Sequence, residues 1–212
     1  MVVAVVAGMF GAGALLIGIG NRARGASALE ARAIWTKYFS YAGIVVGLML
    51  CALSRGALVT ALTAVGILCV CEVVRIRAYW AAVWVAASTL FALLTPNFLA
   101  IYLVVAAGDA FAQLGGRLLG GPRLWPSLSP KKTLSGALCG IVAAALAGYF
   151  VGIRPDEAAA LALAGLAGDL TASKIKRSAG IKDFGNALPG HGGFMDRFDS
   201  LWGAAPLGAF LC

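Results

Sequence analysis

The sequence predicts an all-α polytopic membrane protein with about eight transmembrane helices and a polar cavity open to the cytoplasm. The first reason is composition. Of 212 residues, 61% are hydrophobic and 12% are charged, and mean hydropathy is +0.90, whereas soluble domains carry roughly 25% charged residues. The second is periodic segmentation into eight apolar runs. The third is a set of carboxylates inside those runs, where only a polar interior can hold them.

The runs cover approximately 2–20, 38–54, 56–74, 79–95, 97–119, 134–152, 157–177 and 198–212. A spanning helix needs about 17–25 residues, so the last run is short for a full crossing. No cationic stretch precedes the first run, which is therefore read as a retained helix and not a cleaved leader. The 28 glycines and abundant alanine suit helices whose backbones approach closely in lipid. Cys51, Cys69, Cys71, Cys139 and Cys212 sit in apolar runs without paired spacing. They read as buried thiols, and no disulfide framework or zinc site is expected.

Loop charge sets the orientation. Of 17 cations, all but Arg55 and Arg154 fall at or after odd-numbered runs, the asymmetry of the positive-inside rule. The termini then face outward and the polar segment after run seven faces the cytoplasm. The net charge of +8 is topological on this reading, with a secondary attraction for anionic lipid, and no nucleic-acid partner is expected.

Asp109 and Asp169 each follow Ala-Gly within an apolar run and precede an arginine, Arg117 or Arg177, by eight residues. Eight helical residues rise about 12 Å, so the two carboxylates are expected at similar depth. Each costs about 2.5–3.5 kcal/mol at a bilayer centre, which argues for a cation-holding cavity; the alternative for each is a helix cap or a side chain that snorkels to the interface. Asp169, Ser173, Lys176 and Arg177 fall at i, i+4, i+7 and i+8, one helical face. That stripe offers a carboxylate at depth, a hydroxyl above it and two cations at the mouth, as a metal with phosphates above it would require.

Beyond it, Pro189-Gly190-His191-Gly192-Gly193 is a turn whose amides can form an anion-binding nest. Asp196 and Asp199 flank Arg197 and share a face if the last helix begins there. Hard oxygen ligands of this kind suit Mg²⁺. Between runs five and six, Ser129-Pro130-Lys131-Lys132-Thr133 reads as a helix start, with Ser129 as N-cap and Pro130 in the first position. Lysines there oppose the macrodipole unless an anion binds; the alternative is that Lys131 and Lys132 only set topology.

These residues resemble the phosphatidate cytidylyltransferases, or CDP-diacylglycerol synthases. The resemblance rests on Ser173, Lys176-Arg177, Lys182-Asp183, the Pro189–Gly193 turn and Asp196-Arg197-Phe198-Asp199, preceded by Asp109, Gly116-Arg117 and Ser129–Thr133. It covers 109–201, with 1–96 left as packing helices and 97–212 as the catalytic part. Gln113 stands where the family often has tyrosine, and the sequence reads as shorter than typical bacterial members, mostly on its N-terminal side.

The resemblance implies transfer from CTP to phosphatidic acid, giving CDP-diacylglycerol and pyrophosphate, in the inner membrane of a bacterium and often by a homodimer. It also implies metal binding by Asp169 and Asp196, and we expect Asp183, Asp199 and Asp109 to complete or orient the shell of one Mg²⁺ or of a metal pair. Lys176, Arg177, Lys131 and Arg197 are then expected on phosphates, with Ser173 and His191 donating hydrogen bonds. Arg117, Ser129, Lys132, Thr133, Lys182, Gly192 and Gly193 are expected around the substrates. The rival readings are a cytidylyltransferase for a different lipid phosphate and a cation-coupled transporter; the featureless outer halves of the helices weigh against the latter.

Overall fold

The computed structural model describes residues 2–23, 25, 27–188 and 192–211. Among them the order is α1 (Val2–Ala23), α2 (Ala28–Cys51), α3 (Arg55–Arg75), α4 (Tyr79–Leu94), α5 (Phe98–Leu119), β1 (Arg123–Trp125), β2 (Ser129–Thr133), α6 (Leu134–Val151), α7 (Pro155–Ser178) and α8 (Met195–Leu211). Each apolar run is a helix. Of these, α2, α3, α5, α6 and α7 are long and apolar enough to cross a membrane, while α4 is apolar but shorter.

Two boundaries differ from expectation, each for a local reason. α2 begins ten residues before the expected position 38, because Ser27 and Glu30 form a reciprocal capping box: the Ser27 hydroxyl accepts the Glu30 amide, and the Glu30 carboxylate accepts the Ser27 amide at 2.9 Å. Arg32 and Lys37 therefore ride on a helix and not in a loop.

The second correction concerns 129–133. Ser129 is not an N-cap, nor Pro130 the first helical residue; the stretch is a strand paired antiparallel with β1, with Arg123 opposite Thr133 and Trp125 opposite Ser129. A turn at Trp125–Leu128, closed by the Leu128 amide on the Trp125 carbonyl at 3.2 Å, makes the hairpin, with Pro126 supplying the preset φ of its second position. Pro130 has no N–H to donate and is tolerated on such an edge. The cap of α6 is Thr133, whose hydroxyl accepts the Gly136 amide at 3.1 Å. Lys131 and Lys132 thus sit on an extended strand, and the helix-dipole argument for an anion beside them does not apply.

α5 is the hub. Every residue from Ile101 to Gly108 is buried, the signature of a helix covered on all sides. Glycines let its neighbours approach: a Cβ at Gly140 of α6 would come within 2.6 Å of the Gly108 carbonyl oxygen. Between α7 and α8, a Cβ at Gly168 would lie 2.5 Å from the Asp199 carbonyl oxygen and 2.7 Å from Gly203 Cα. One apolar core runs across residue 96, joining Cys69, Val73 and Val85 to Phe198 and Trp202. The four described cysteines are free; Cys69 is buried in the protein core, Cys51 and Cys139 are half-buried and Cys71 lies on the outer surface of α3, while Cys212 lies outside the described residues.

Candidate functional site

α5, α6, α7 and β2 enclose a cavity of about 480 Å³. Asp109 from α5 and Asp169 from α7 both line it, so the two carboxylates read from the apolar runs face one space. The Gly108–Gly140 and Gly168–Gly203 approaches set the helices that carry them. Each carboxylate has a partner: the Lys132 ammonium pairs with Asp169 Oδ2, and the Gln113 side-chain amide donates to Asp109 Oδ2 at 3.3 Å. One turn above Asp169, the Ser173 hydroxyl lies 3.5 Å from its Oδ1. Arg117, Ser129, Lys131 and Thr133 complete the polar wall. Asp199 of α8 is buried, accepts the Ser200 amide at 2.8 Å and lies within electrostatic reach of Asp109 and Asp169.

A larger cavity of about 770 Å³ adjoins the first, sharing Asp109, Gln113, Arg117 and Lys131 with it. α1 and α2 give it an apolar wall that includes Phe10, Tyr38, Tyr41 and Val45, while Lys182, Asp183, Gly192 and Arg197 close its polar end. Tyr41 is fixed by donating to the Ala106 carbonyl at 3.1 Å. Five cations, Lys37, Arg117, Lys131, Lys182 and Arg197, face two carboxylates, Asp109 and Asp183, around this space. A lining with that excess of positive charge concentrates anions.

The stripe expected along α7 divides. Asp169 faces the smaller cavity, but two turns higher Lys176 meets a different neighbour: its ammonium lies 2.8 Å from Asp196 Oδ1 and 5.3 Å from the centre of the Phe184 ring. Arg177 is exposed. Neither cation lines either cavity, because at that height the face looks onto the loop before α8 and not onto β2.

Asp196 is the organiser of that loop. Besides Lys176 at Oδ1, its Oδ2 accepts the amides of Phe184 at 2.7 Å and Gly193 at 2.9 Å. The Leu188 amide donates to the Gly192 carbonyl at 2.8 Å, and Gly192 has a φ of +83°, where a side chain would be strained. The nest read at this turn is partly filled by the protein itself, since the Gly193 N–H is already given to Asp196. Pro189, Gly190 and His191 lie outside the described residues.

Two residues of the N-terminal helices join the site and escape sequence reading. Lys37 reads as a topology charge until α2 sets it on the larger cavity. Glu72 of α3 accepts the amides of Phe194 at 3.0 Å and Met195 at 2.9 Å. An acid inside the apolar run 56–74 was the signal for it, the same one that marks Asp109 and Asp169.

Among the described residues, no three Asp, Glu, Cys or His side chains converge as ligands of one ion. Magnesium is commonly held by only one or two carboxylates, with water and substrate phosphates supplying the rest. The pair lining the smaller cavity meets that lower requirement.

The chain is similar to proteins named phosphatidate cytidylyltransferase. It is 39% identical over 126 residues to the one from Rickettsia bellii, covering 52% of this chain and 54% of that protein. With the Helicobacter pylori protein it is 46% identical over 121 residues, covering 52% and 45%. With that of Brucella abortus it is 43% identical over 116 residues, covering 50% and 43%. The matches thus span about half the length of these relatives. The model of the cytidylyltransferase family matches residues 31–212, and so takes in α2, α3 and α4, with Lys37 and Glu72, as well as the motif-bearing helices from which the resemblance was read. By that match, and by carboxylates and cations gathered at the motif positions, the chain belongs to the cytidylyltransferase family.

Proposed function

We propose that this chain transfers a cytidylyl group from CTP to phosphatidic acid, giving CDP-diacylglycerol and pyrophosphate. The observation that carries the reading is the pair of adjoining cavities. One is lined by buried carboxylates and strand lysines. The other has a cationic end and a long apolar wall, the two-part chemistry an anionic lipid demands.

On this reading the lipid phosphate lies at the cationic end of the larger cavity, among Arg117, Lys182 and Arg197, with its acyl chains along α1 and α2. The triphosphate occupies the smaller cavity, within reach of Lys131, Lys132, Ser129 and Thr133. A phosphate oxygen of the lipid attacks the α-phosphorus of CTP, the bond from that phosphorus to the β-phosphate bridging oxygen breaks, and pyrophosphate leaves with the electron pair. Attacker, centre and leaving group are all anionic, so positioning and charge stabilisation supply the rate enhancement, and no protein nucleophile is needed. Lys131 and Arg117, shared by the two cavities, stand where the reacting groups meet. Ser173 orients Asp169, while Lys176 and Asp196 hold the loop that leads into α8 and so place Arg197 in its first turn. His191 would add a hydrogen bond from the turn, and Arg177 a contact at the cytoplasmic mouth.

Mg²⁺ fits this site through hard oxygen donors. Asp169 and Asp109 would hold it, with Asp199 close by and Asp196 retaining one unused lone pair on Oδ1, while Asp183 stands at the rim of the larger cavity. When bound, the metal, single or paired, would supply positive charge that offsets the charge of the substrate phosphates. Lys132 keeps Asp169 charge-balanced, which makes a carboxylate at that depth affordable. The gathering of cations at the cavities supports a site on the cytoplasmic side of a bacterial inner membrane, and a homodimer belongs to the same reading.

The test is liponucleotide formation by purified protein from labelled CTP and phosphatidic acid, with and without Mg²⁺. Wild-type protein should form CDP-diacylglycerol only with Mg²⁺ present. Asp169→Asn should lower the rate at least about 100-fold, the order expected for losing charge stabilisation of a transition state, with insertion unchanged. Incorporation of CTP by Asp169→Asn at the wild-type rate would refute the assignment.

A further inference from the structure

We infer that Glu72 of α3 is a positioning residue for the proposed transfer, acting by capping α8 across the molecule and so holding the first turn of α8, which carries Asp196 and Arg197. The inference rests on the function proposed above for its catalytic consequence, and on hydrogen-bond geometry alone for the clamp.

The first amides of a helix have no partner within it and need acceptors from elsewhere. Most helices obtain one from a Ser, Thr, Asp or Asn at the N-cap. α8 obtains its acceptor from 122 residues away: Glu72 Oε1 takes the Phe194 amide at 3.0 Å and Oε2 takes the Met195 amide at 2.9 Å. The preceding amide, of Gly193, goes to Asp196. Three consecutive N–H groups are thus held by two carboxylates, and charge-assisted bonds of this kind are the stronger class.

Glycine is needed where the carboxylate seats. A Cβ at Gly185 would stand 2.7 Å from Glu72 Oε1, and one at Gly193 would overlap the same carboxylate. One turn further along α3, Arg75 donates to the Phe184 carbonyl at 3.0 Å, and the Phe184 amide donates to Asp196. The end of α3 therefore grips both limbs of the loop, at Phe184 and at Phe194–Met195. Arg197, on the larger cavity, follows two residues after the second grip. α3 itself is held by apolar packing at Leu62, Cys69 and Val73, independent of Glu72, so the carboxylate is free to serve placement.

The experiment pairs steady-state kinetics with amide hydrogen exchange on full-length wild type, Glu72→Gln and Glu72→Ala in the same detergent. Glu72→Gln keeps the shape but turns an NH₂ toward one of the two amides. Loss of one charge-assisted bond predicts a fall of about 10–100-fold in kcat/KM for CTP, the range seen when catalytic groups are misplaced by up to about 1 Å. Exchange at Phe194 and Met195 should quicken, while amides of α5 and α6 keep their wild-type rates. Unchanged kcat/KM in both variants, or unchanged exchange at Phe194 and Met195, overturns the inference. So does faster exchange throughout α3, α5 and α6, which would make Glu72 a residue of general stability. An inactive wild type would instead overturn the reaction proposed above, and with it the catalytic part of this inference, while exchange would still decide the clamp.

Discussion

Lys37 shows how much a residue's neighbours decide. In the sequence it is one of several cations between the first two apolar runs, and any of them could serve topology. α2 carries it to the edge of the larger cavity, opposite Arg117, Lys131, Lys182 and Arg197. If it contacts the lipid phosphate, Lys37→Ala should raise KM for phosphatidic acid about 10-fold, corresponding to one hydrogen bond to a charged group, with kcat little changed; initial rates against lipid mole fraction in mixed micelles check this. Asp109 and Asp169 were legible because a carboxylate in an apolar helix is expensive wherever the helix packs. Asp196 was visible as a motif residue, but its three partners, Lys176 and the Phe184 and Gly193 amides, depend on a loop path that spacing alone does not specify.

At the scale of elements, the run from Gly120 to Thr133 separates two ways of starting a helix. Ser129-Pro130 has the composition of a helix start, yet the chain forms a hairpin and begins α6 at Leu134 with Thr133 as cap. Loss of an N-cap costs about 1 kcal/mol. Thr133→Ala should therefore lower the thermal midpoint of the detergent-solubilised protein by about 2–4 °C, whereas Ser129→Ala should leave it nearly unchanged; a thermal-shift series on the two variants reads the difference. The reverse result would restore the helix start at Ser129. The early start of α2 was available in the sequence, because Ser27 and Glu30 stand at capping-box spacing, but an apolar-run criterion passes over a helical turn that is polar.

Across the whole molecule, the site depends on helix backbones in contact. α7 and α8 meet at Gly168 and Gly203, with the Asp199 carbonyl against Gly168, and this contact brings Asp169 and Asp199 into one electrostatic neighbourhood. Gly168→Val would force the helices apart. Overpacking of this kind costs about 1–3 kcal/mol or more, and a shift of even 1 Å at the carboxylates can cost 100-fold in rate. Liponucleotide formation should fall at least that far in Gly168→Val, even in the fraction that elutes as folded protein on size exclusion; full activity in that fraction would show that the contact is dispensable.

Hydropathy along the chain was enough to determine an all-α protein with apolar helices, its eight helical segments and the two carboxylates, Asp109 and Asp169, that face its interior. Those properties are local: each residue contributes its own transfer free energy whatever its neighbours. The motif residues from Asp109 to Asp199 also made the family recognisable. Only tertiary structure decided that the polar interior is two adjoining cavities, that Lys176 turns to Asp196 and away from Asp169's cavity, and that Glu72 and Lys37 of the N-terminal helices belong to the site. Which acceptor a buried amide or ammonium meets is fixed by how the helices pack, 20 residues apart in the chain for Lys176 and Asp196 and 122 for Phe194 and Glu72, and the spacing of residues along one helix carries no record of it.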